Sequence, residues 1–212
     1  MGCNAAVDNC SSSSRDIELP AHMVTLSPYR IDLLEVTQAA YVACVDAGFC
    51  RVPTCSWDPS HRGDWPVECV TIDDALAYCH HVGRRLPTEA EWEFAARGTD
   101  SRIYPWGNEA PDCSRAELVD CAGKIRPPGG RPAGASPFGV LDLADSVQEI
   151  VNDFYDTYSD SPQVDPSGPR AGSDRVIRGG THLDVWSMRA TRRSNIYPGE
   201  TREDTGFRCA AD

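Results

Sequence analysis

The most regular pattern of apolar and polar positions lies between residues 88 and 98. Apolar residues recur there at a spacing that places them on one face of a helix, with charged residues on the others: Trp92, Ala95 and Ala96. Thr88 is a suitable N-cap, and Glu91 three residues later completes a capping box. Gly98 suits the left-handed position that ends a helix. The pattern predicts one short amphipathic helix whose two ends are both encoded.

Weaker patterns predict further elements on both sides of this helix. Helical spacing predicts helices over residues 37–48 and 71–83, each ending at a glycine. Apolar runs or alternation predict strands over residues 23–26, 29–32, 140–155, 175–178 and 206–209. Polar composition predicts a loop over residues 156–173 and a mobile, serine-rich arm over residues 1–20, ahead of one domain over residues 21–212.

Composition limits the class of protein. The chain has 212 residues, enough for one domain with a sizeable core, and its 17 glycines and 16 prolines indicate short α and β elements among many turns. A formal net charge of −12 argues against nucleic acids and anionic membranes as partners. No apolar run approaches the roughly 20 residues of a membrane span. We expect a monomeric domain whose partner is a protein or a small ligand.

Ten cysteines indicate the compartment. They lack the paired CxxC spacing of a metal site, and an even number scattered through loops is typical of disulfides in an oxidising environment. The sequence therefore predicts a domain that is exported to the periplasm, the cell surface or the outside of the cell. The first residues do not have the pattern of a signal peptide, which has a basic start and an apolar core.

A series of short motifs resembles the formylglycine-generating enzyme family, also called the sulfatase-modifying-factor domain. The motifs are residues 20–22 (PAH), 29–32 (YRID), 35–37 (EVT), 77–79 (AYC), 86–93 (LPTEAEWE), 104–109 (YPWGNE), 136–143 (SPFGVLDL), 178–180 (RGG) and 206–211 (GFRCAA). The resemblance implies an α+β, C-type-lectin-like fold with little regular secondary structure. It also implies that an export signal and one strand precede Met1, because the family's Met-Gly-Ser/Cys sequence follows a first strand.

The chain departs from this family where the family's oxidase holds copper(I). Two cysteines a few residues after the Gly-Gly bind the metal there, since copper(I) selects soft thiolates. Residues 181–190 contain no cysteine, and a lone Met188 with His182 does not replace a dithiolate. We therefore expect no copper and no oxidase activity, as in a pseudoenzyme.

Aromatic, arginine and polar residues concentrate near the position of the family's substrate groove. The predicted binding groove contains His182, Asp184, Trp186, Arg189, Arg193 and Asn195. Acidic residues are interleaved with these arginines. The alternative is therefore that the arginines form internal ion pairs and that Trp186 belongs to the core.

A calcium site is implied by residues 142–149, which resemble the family's calcium-binding turn. The resemblance assigns side-chain ligands to Asp142 and Glu149, and backbone carbonyl ligands to Asp145 and Val147. The alternative is a solvated acidic turn without a metal.

Disulfide pairing is predicted for most of the cysteines. Cys79–Cys209 resembles the family's bridge between the second helix and the last strand. Three bridges that close short loops are also predicted: Cys44–Cys50, Cys55–Cys69 and Cys113–Cys121. Cys3 and Cys10 remain, and whether they pair with each other is left open. A second family bridge joins positions that match Ala96 and Ala190, so we expect these two residues to lie close together.

The leading interpretation is an exported, disulfide-stapled domain of this type that works as a binding or interaction module. One alternative is an oxidoreductase of the same type that uses different metal ligands. Another is a structural or regulatory domain of a larger protein. Fold alone does not decide among them.

Overall fold

Short helices and strands joined by long turns carry the fold. The computed structural model describes residues 1–3, 17–118, 121, 127–181 and 185–212. The helices are α1 (Gln38–Asp46), α2 (Ile72–His81) and α3 (Glu89–Arg97), with a 3₁₀ turn at Pro132–Gly134. The strands are β1 (Val24–Thr25), β2 (Arg30–Ile31), β3 (Gln148–Phe154), β4 (Gln163–Val164), β5 (Arg175–Arg178), β6 (Arg193–Ile196), β7 (Thr205–Gly206) and β8 (Ala210–Ala211).

A four-stranded sheet in the order β6-β5-β3-β7 forms the centre of the domain. β5 is antiparallel to both β3 and β6, whereas β3 and β7 are parallel. The register places Arg178 opposite Arg193, so both side chains leave the same face of the sheet. Two small sheets flank it, a parallel pair of β1 with β4 and an antiparallel pair of β2 with β8.

The helix ends follow the predicted capping chemistry. In α3 the Thr88 side chain accepts a hydrogen bond from the Glu91 amide, and the Glu91 carboxylate accepts one from the Thr88 amide. The helix ends at Gly98, whose φ is 64°. Helix α2 begins with a second capping box, between Thr71 and Asp74. The prediction of both helices is confirmed, because the caps that define them are local in sequence.

The core has two main clusters, one on each side of the sheet region. One packs α1 and α2 through Tyr41, Tyr78, Phe207 and their aliphatic neighbours. The other surrounds Trp92, which is 0% exposed, and contains Ala95, Ala96 and Ala190. The predicted inward face of α3 is thus confirmed, and Ala96 and Ala190 belong to the same buried cluster.

Four disulfides join described cysteines, and they are the four predicted pairs. Cys79–Cys209 joins α2 to the segment before β8 with a Cα–Cα distance of 5.7 Å. It closes a sequence separation of 130 residues, which contributes about 5 kcal/mol in the chain-entropy model. The short loops are closed at Cα–Cα distances of 5.3, 5.5 and 5.5 Å by Cys44–Cys50, Cys55–Cys69 and Cys113–Cys121. Cys3 is also in a disulfide, whereas Cys10 lies outside the described residues.

The predicted strand over residues 140–155 is too long at its start. The observed strand β3 begins only at Gln148, because Asp142 and Ser146 adopt left-handed φ values of 61° and 66°. The chain therefore turns twice before it enters the sheet. The predicted closing strand over residues 206–209 is not observed as one strand. Strand β7 ends at Gly206 and β8 begins at Ala210, with an irregular segment between them.

Two observed strands were not predicted from the sequence. The polar segment 156–173 contains β4, which pairs with β1, and the segment after Thr191 contains β6 at the edge of the main sheet. Most of the predicted N-terminal arm, residues 4–16, lies outside the described residues. The described ends of the arm are packed against the domain. The Gly2 amide donates to Glu93 Oε1 over 2.8 Å, and Cys3 and Glu18 are buried.

Among the described residues, none of the helices combines the length and the apolar composition needed to cross a membrane.

Candidate functional site

Two buried arginines from neighbouring strands meet two buried glutamates from α3. Glu89 and Glu93 lie one helical turn apart, so both carboxylates face the sheet. Arg193 holds Glu89 with two hydrogen bonds of 2.8 Å, and Arg178 contacts Glu93 Oε2 at 2.7 Å. Arg178 is 0% exposed and also donates to the carbonyls of Ala190 and Thr191. Burial opposes the ionisation of Glu93, but Arg178 and Arg97 outweigh it and hold the pKa of Glu93 below its ordinary value.

Tyr158 links this ion-pair network to the surface. Its hydroxyl donates to Glu89 Oε1 over 2.9 Å, and the Arg193 guanidinium lies 4.0 Å from its ring centroid. Burial, followed by the nearby Glu89 carboxylate, raises the pKa of Tyr158 well above its ordinary value. Tyr158 therefore stays neutral and acts as a hydrogen-bond donor.

A cavity of about 490 Å³ opens beside the N-terminal end of α3. Its polar lining includes His22, Glu89, Asp153, Asp156, Tyr158 and Arg193. Asp153 is 4% exposed, and its Oδ2 accepts a 2.8 Å hydrogen bond from the Glu89 amide. Burial raises the pKa of Asp153 to about 7, against the lowering effect of that hydrogen bond. A cavity of this size is within the range of small-molecule sites.

The structure places the predicted groove residues in different environments. His182 and Asp184 lie outside the described residues. Arg189 is buried, with its guanidinium 3.5 Å from Glu18 and 3.0 Å from Cys3 Sγ, and Arg193 is the buried partner of Glu89. Asn195 donates to Asp174 Oδ2 over 2.6 Å. Both described arginines of the predicted groove therefore take part in internal ion pairs.

Trp186 differs from these residues because it is 57% exposed. It lies in a tight turn in which the Met188 amide donates to the Val185 carbonyl over 3.3 Å. Met188 is 0% exposed and packs with Ala116 and Ala144, while Tyr104 and Trp106 cover this cluster. A buried methionine thus anchors a turn that presents the indole to solvent.

The acidic turn predicted to bind calcium is buried, not solvated. Asp142, Asp145 and Glu149 are 8%, 3% and 1% exposed. Both Glu149 oxygens accept 2.7 Å hydrogen bonds from Arg208, and Trp92 Nε1 donates to one of them over 2.8 Å. Asp145 Oδ2 accepts from the Glu117 amide over 2.6 Å, and Asp142 accepts from the Gly129 amide. Burial, followed by repulsion from Asp142, raises the pKa of Asp145 to about 7.

Glu35 faces the same turn; it belongs to the EVT motif of residues 35–37, but the sequence assigned it no role. It is 3% exposed, and within the part of the chain that the structure describes neither carboxylate oxygen has a hydrogen bond of normal geometry, although the Ser146 hydroxyl is near enough to lower its pKa. Burial, followed by repulsion from Asp142, raises its pKa well above the ordinary value. Its sequence signals are its place in that motif and its position beside the buried Val36, ahead of α1. Among the described residues, no group of three or more His, Cys, Asp or Glu side chains is arranged to hold a metal ion.

Comparison with known proteins identifies the family. The family model described as the sulfatase-modifying factor enzyme 1-like domain matches residues 2–212. The chain belongs to this family. The expectation drawn from the sequence motifs, including the α+β fold of the formylglycine-generating enzymes, is thereby confirmed.

This sulfatase-modifying-factor domain is similar both to enzymes in sequence and to several solved structures in fold. Formylglycine-generating enzyme of Bos taurus is 34% identical over 169 residues, covering 72% of this chain but 45% of its own length. The chain thus spans less than half of that relative. Treponema denticola variable protein 1 is 26% identical with a TM-score of 0.79, over 94% of this chain and 90% of its own. PvdO from Pseudomonas aeruginosa is 23% identical with a TM-score of 0.81, and the match covers 100% of this chain and 90% of that one.

Proposed function

We propose that this sulfatase-modifying-factor domain is an exported binding module that does not carry out copper-dependent oxidation. The observation that carries the proposal is the state of the cysteines. Residues 181–190 contain none, and among the described residues every cysteine is in a disulfide. A bridged sulfur cannot supply the thiolate that copper(I) requires. Four stapling disulfides also suit an oxidising compartment.

The binding surface in this proposal is the turn that carries Trp186. An exposed indole on a turn anchored by buried Met188 offers a rigid aromatic contact of the kind that dominates interfaces. Arg189 and Arg193 have structural roles in this proposal, because their charges are engaged by Glu18 and Glu89. The partner in this proposal is a protein or a small ligand, bound by a monomeric domain. A Trp186→Ala change that left every interaction of the full-length protein intact would contradict this assignment.

We also propose calcium as the bound metal of the acidic turn. The unpartnered oxygens of Glu35 fit a hard cation, which takes oxygen ligands and usually at least two carboxylates. Glu35 and Asp142 would supply the negative charge, and the carbonyls of Asp145 and Val147 would complete the oxygen set. Glu149, assigned as a ligand by the resemblance, has both carboxylate oxygens engaged by Arg208. Bound calcium would tie the segment before α1 to the start of β3.

Copper binding tests the main proposal. The purified domain is titrated with a copper(I)–acetonitrile complex against a competing copper(I) chelator, without a thiol reductant that would open the disulfides. Because no thiolate pair is available, we expect no copper to be retained, while the bovine enzyme under the same conditions retains it. One copper per chain held against the chelator would refute the proposal.

A further inference from the structure

The cavity beside α3 has a carboxylate on its wall that is only partly satisfied. Asp153 Oδ2 accepts from the Glu89 amide over 2.8 Å, whereas no hydrogen bond of the described residues ends on Oδ1. The loop that closes this side packs tightly against it. A Cβ placed on Gly168 would lie 2.9 Å from Asp153 Cβ and 3.1 Å from Oδ1. The carboxylate is therefore held in one orientation with one oxygen left over.

The nearby cation does not neutralise Asp153. Arg193 lines the same cavity, but its guanidinium is committed to both oxygens of Glu89 and to the Asp156 carbonyl, which accepts over 2.7 Å. The exposed Asp156 adds a second negative charge at the rim. Among the described residues neither Asp153 nor Asp156 makes an ion pair, although Arg193 attracts Asp153 electrostatically and the Met1 ammonium, bound to the His22 carbonyl, lines the same cavity.

We propose that this cavity binds an alkylammonium group, which is the head of a small free amine or of a lysine side chain on a partner. An ammonium group offers three donors and one positive charge, matching the spare oxygen of Asp153 and the rim charge of Asp156. The volume of about 490 Å³ accommodates a four-carbon stem. The inference concerns the cavity and not the Trp186 turn, so it does not rest on the proposed function.

Ammonium binding is coupled to the proton on Asp153, whose pKa is about 7 in the free protein. The charged or titratable groups around it are Glu89 and Glu91 from α3, Arg193 from β6, Arg175 from β5, and Asp156, Tyr158, His22 and the Met1 ammonium at the cavity. Only the ionised carboxylate attracts the ligand. The affinity therefore rises as pH increases through 7, by roughly tenfold between about pH 6 and pH 8.

Ligand-observed NMR titration of the whole chain with n-butylamine tests the proposal, with n-butanol as the uncharged match. We expect the amine to bind and the alcohol not to bind. Asp153→Asn keeps the acceptor for the Glu89 amide but removes the charge, and should weaken binding at least tenfold. The matched control Asp46→Asn removes an exposed charge at the end of α1 and should leave the affinity within a factor of two.

A second arm uses the peptide acetyl-Gly-Lys-Gly-amide. Binding tighter than that of butylamine identifies a lysine of a partner as the ligand, and equal or weaker binding identifies a free amine. Equal affinity for butylamine and butanol, or an affinity that does not change between the two pH values, overturns the proposal. The pH comparison uses the unmodified chain, so the test stands even if Asp153→Asn fails to fold.

Discussion

At the scale of single residues, the domain depends on buried charges that are paired. Arg178 and Arg208 are both 0% exposed, and each contacts a buried glutamate at 2.7 Å. Removing one partner of such a pair leaves an uncompensated buried charge, which typically costs about 3–5 kcal/mol. The pairs join α3 to β5, and the segment between β7 and β8 to β3.

Glu68 is a buried carboxylate without such a partner, and it gives a pH prediction. It is 6% exposed, and one of its oxygens has no hydrogen-bond partner among the described residues. Burial, and to a lesser extent repulsion from Glu203, raises its pKa to about 7 against a hydrogen bond with Ser56. The folded state therefore binds its proton more tightly than the unfolded state. Its contribution to stability is complete below the unfolded pKa and is lost as pH rises through 7.

Glu68→Gln should consequently become more stable relative to the unmodified chain as pH rises. We expect a relative gain of roughly 1–2 kcal/mol between about pH 4 and pH 8, discounted for solvent screening. Urea unfolding at the two pH values measures it, with the exposed Glu109→Gln as a control that should show no such trend. A gain that is the same at both pH values would disprove the assigned pKa.

Sequence reasoning at this scale succeeds where a residue acts within its own element. Trp92, Thr88 and Glu91 are recognisable because their spacing on α3 defines both the buried face and the cap. Glu35 was not recognisable, because its importance comes from Asp142, which is distant in sequence. The pairing of Arg193 with Glu89 is equally non-local, across 104 residues.

At the scale of elements, local signals again separate what was predicted from what was not. The three helices carry their N-caps in the sequence, and all were predicted. Strands β4 and β6 are polar and short, so neither has an alternating pattern, and both exist through pairing with β1 and β5. The left-handed Asp142 and Ser146 interrupt an otherwise strand-like run; aspartate visits this region more often than most residues, but its identity alone does not predict where a strand begins.

The turn before β3 carries the prediction about calcium. Because a ligand that binds only the folded state stabilises it in proportion to the logarithm of its concentration, the melting temperature should rise with added calcium. At 100 times the dissociation constant the gain is about 2.7 kcal/mol, or roughly 5–10 °C for a chain of this length. Thermal melts in calcium and in chelator measure the difference.

Two variants make that measurement specific. Glu35→Gln and Asp142→Asn keep the side-chain shape and remove one ligand charge each, so both should reduce the calcium-dependent shift. Asp46→Asn, with an exposed charge elsewhere, should not. The assignment fails if the unmodified chain melts at the same temperature in calcium and in chelator, or if Asp142→Ala keeps the full calcium-dependent shift.

At the scale of the whole molecule, the motifs were enough to predict the family, the fold and the Cys79–Cys209 bridge, and the three bridges that close short loops were predicted beside them. These features are encoded redundantly along the chain, so the wrong bounds of individual strands did not affect them. The predicted groove was less accessible to prediction. Its described arginines form internal ion pairs, and the cavity beside α3 also takes residues from β3, β6 and a polar loop that lie outside the family motifs.

The central claim is that this member of the family has no copper-dependent oxidase activity. The most direct measurement is mass spectrometry of a sulfatase-type cysteine peptide after incubation with the copper-loaded domain and oxygen. The account predicts no formylglycine, while the bovine enzyme converts the same peptide. The account would be contradicted if formylglycine formed only when copper was added, while the disulfides of the domain stayed intact.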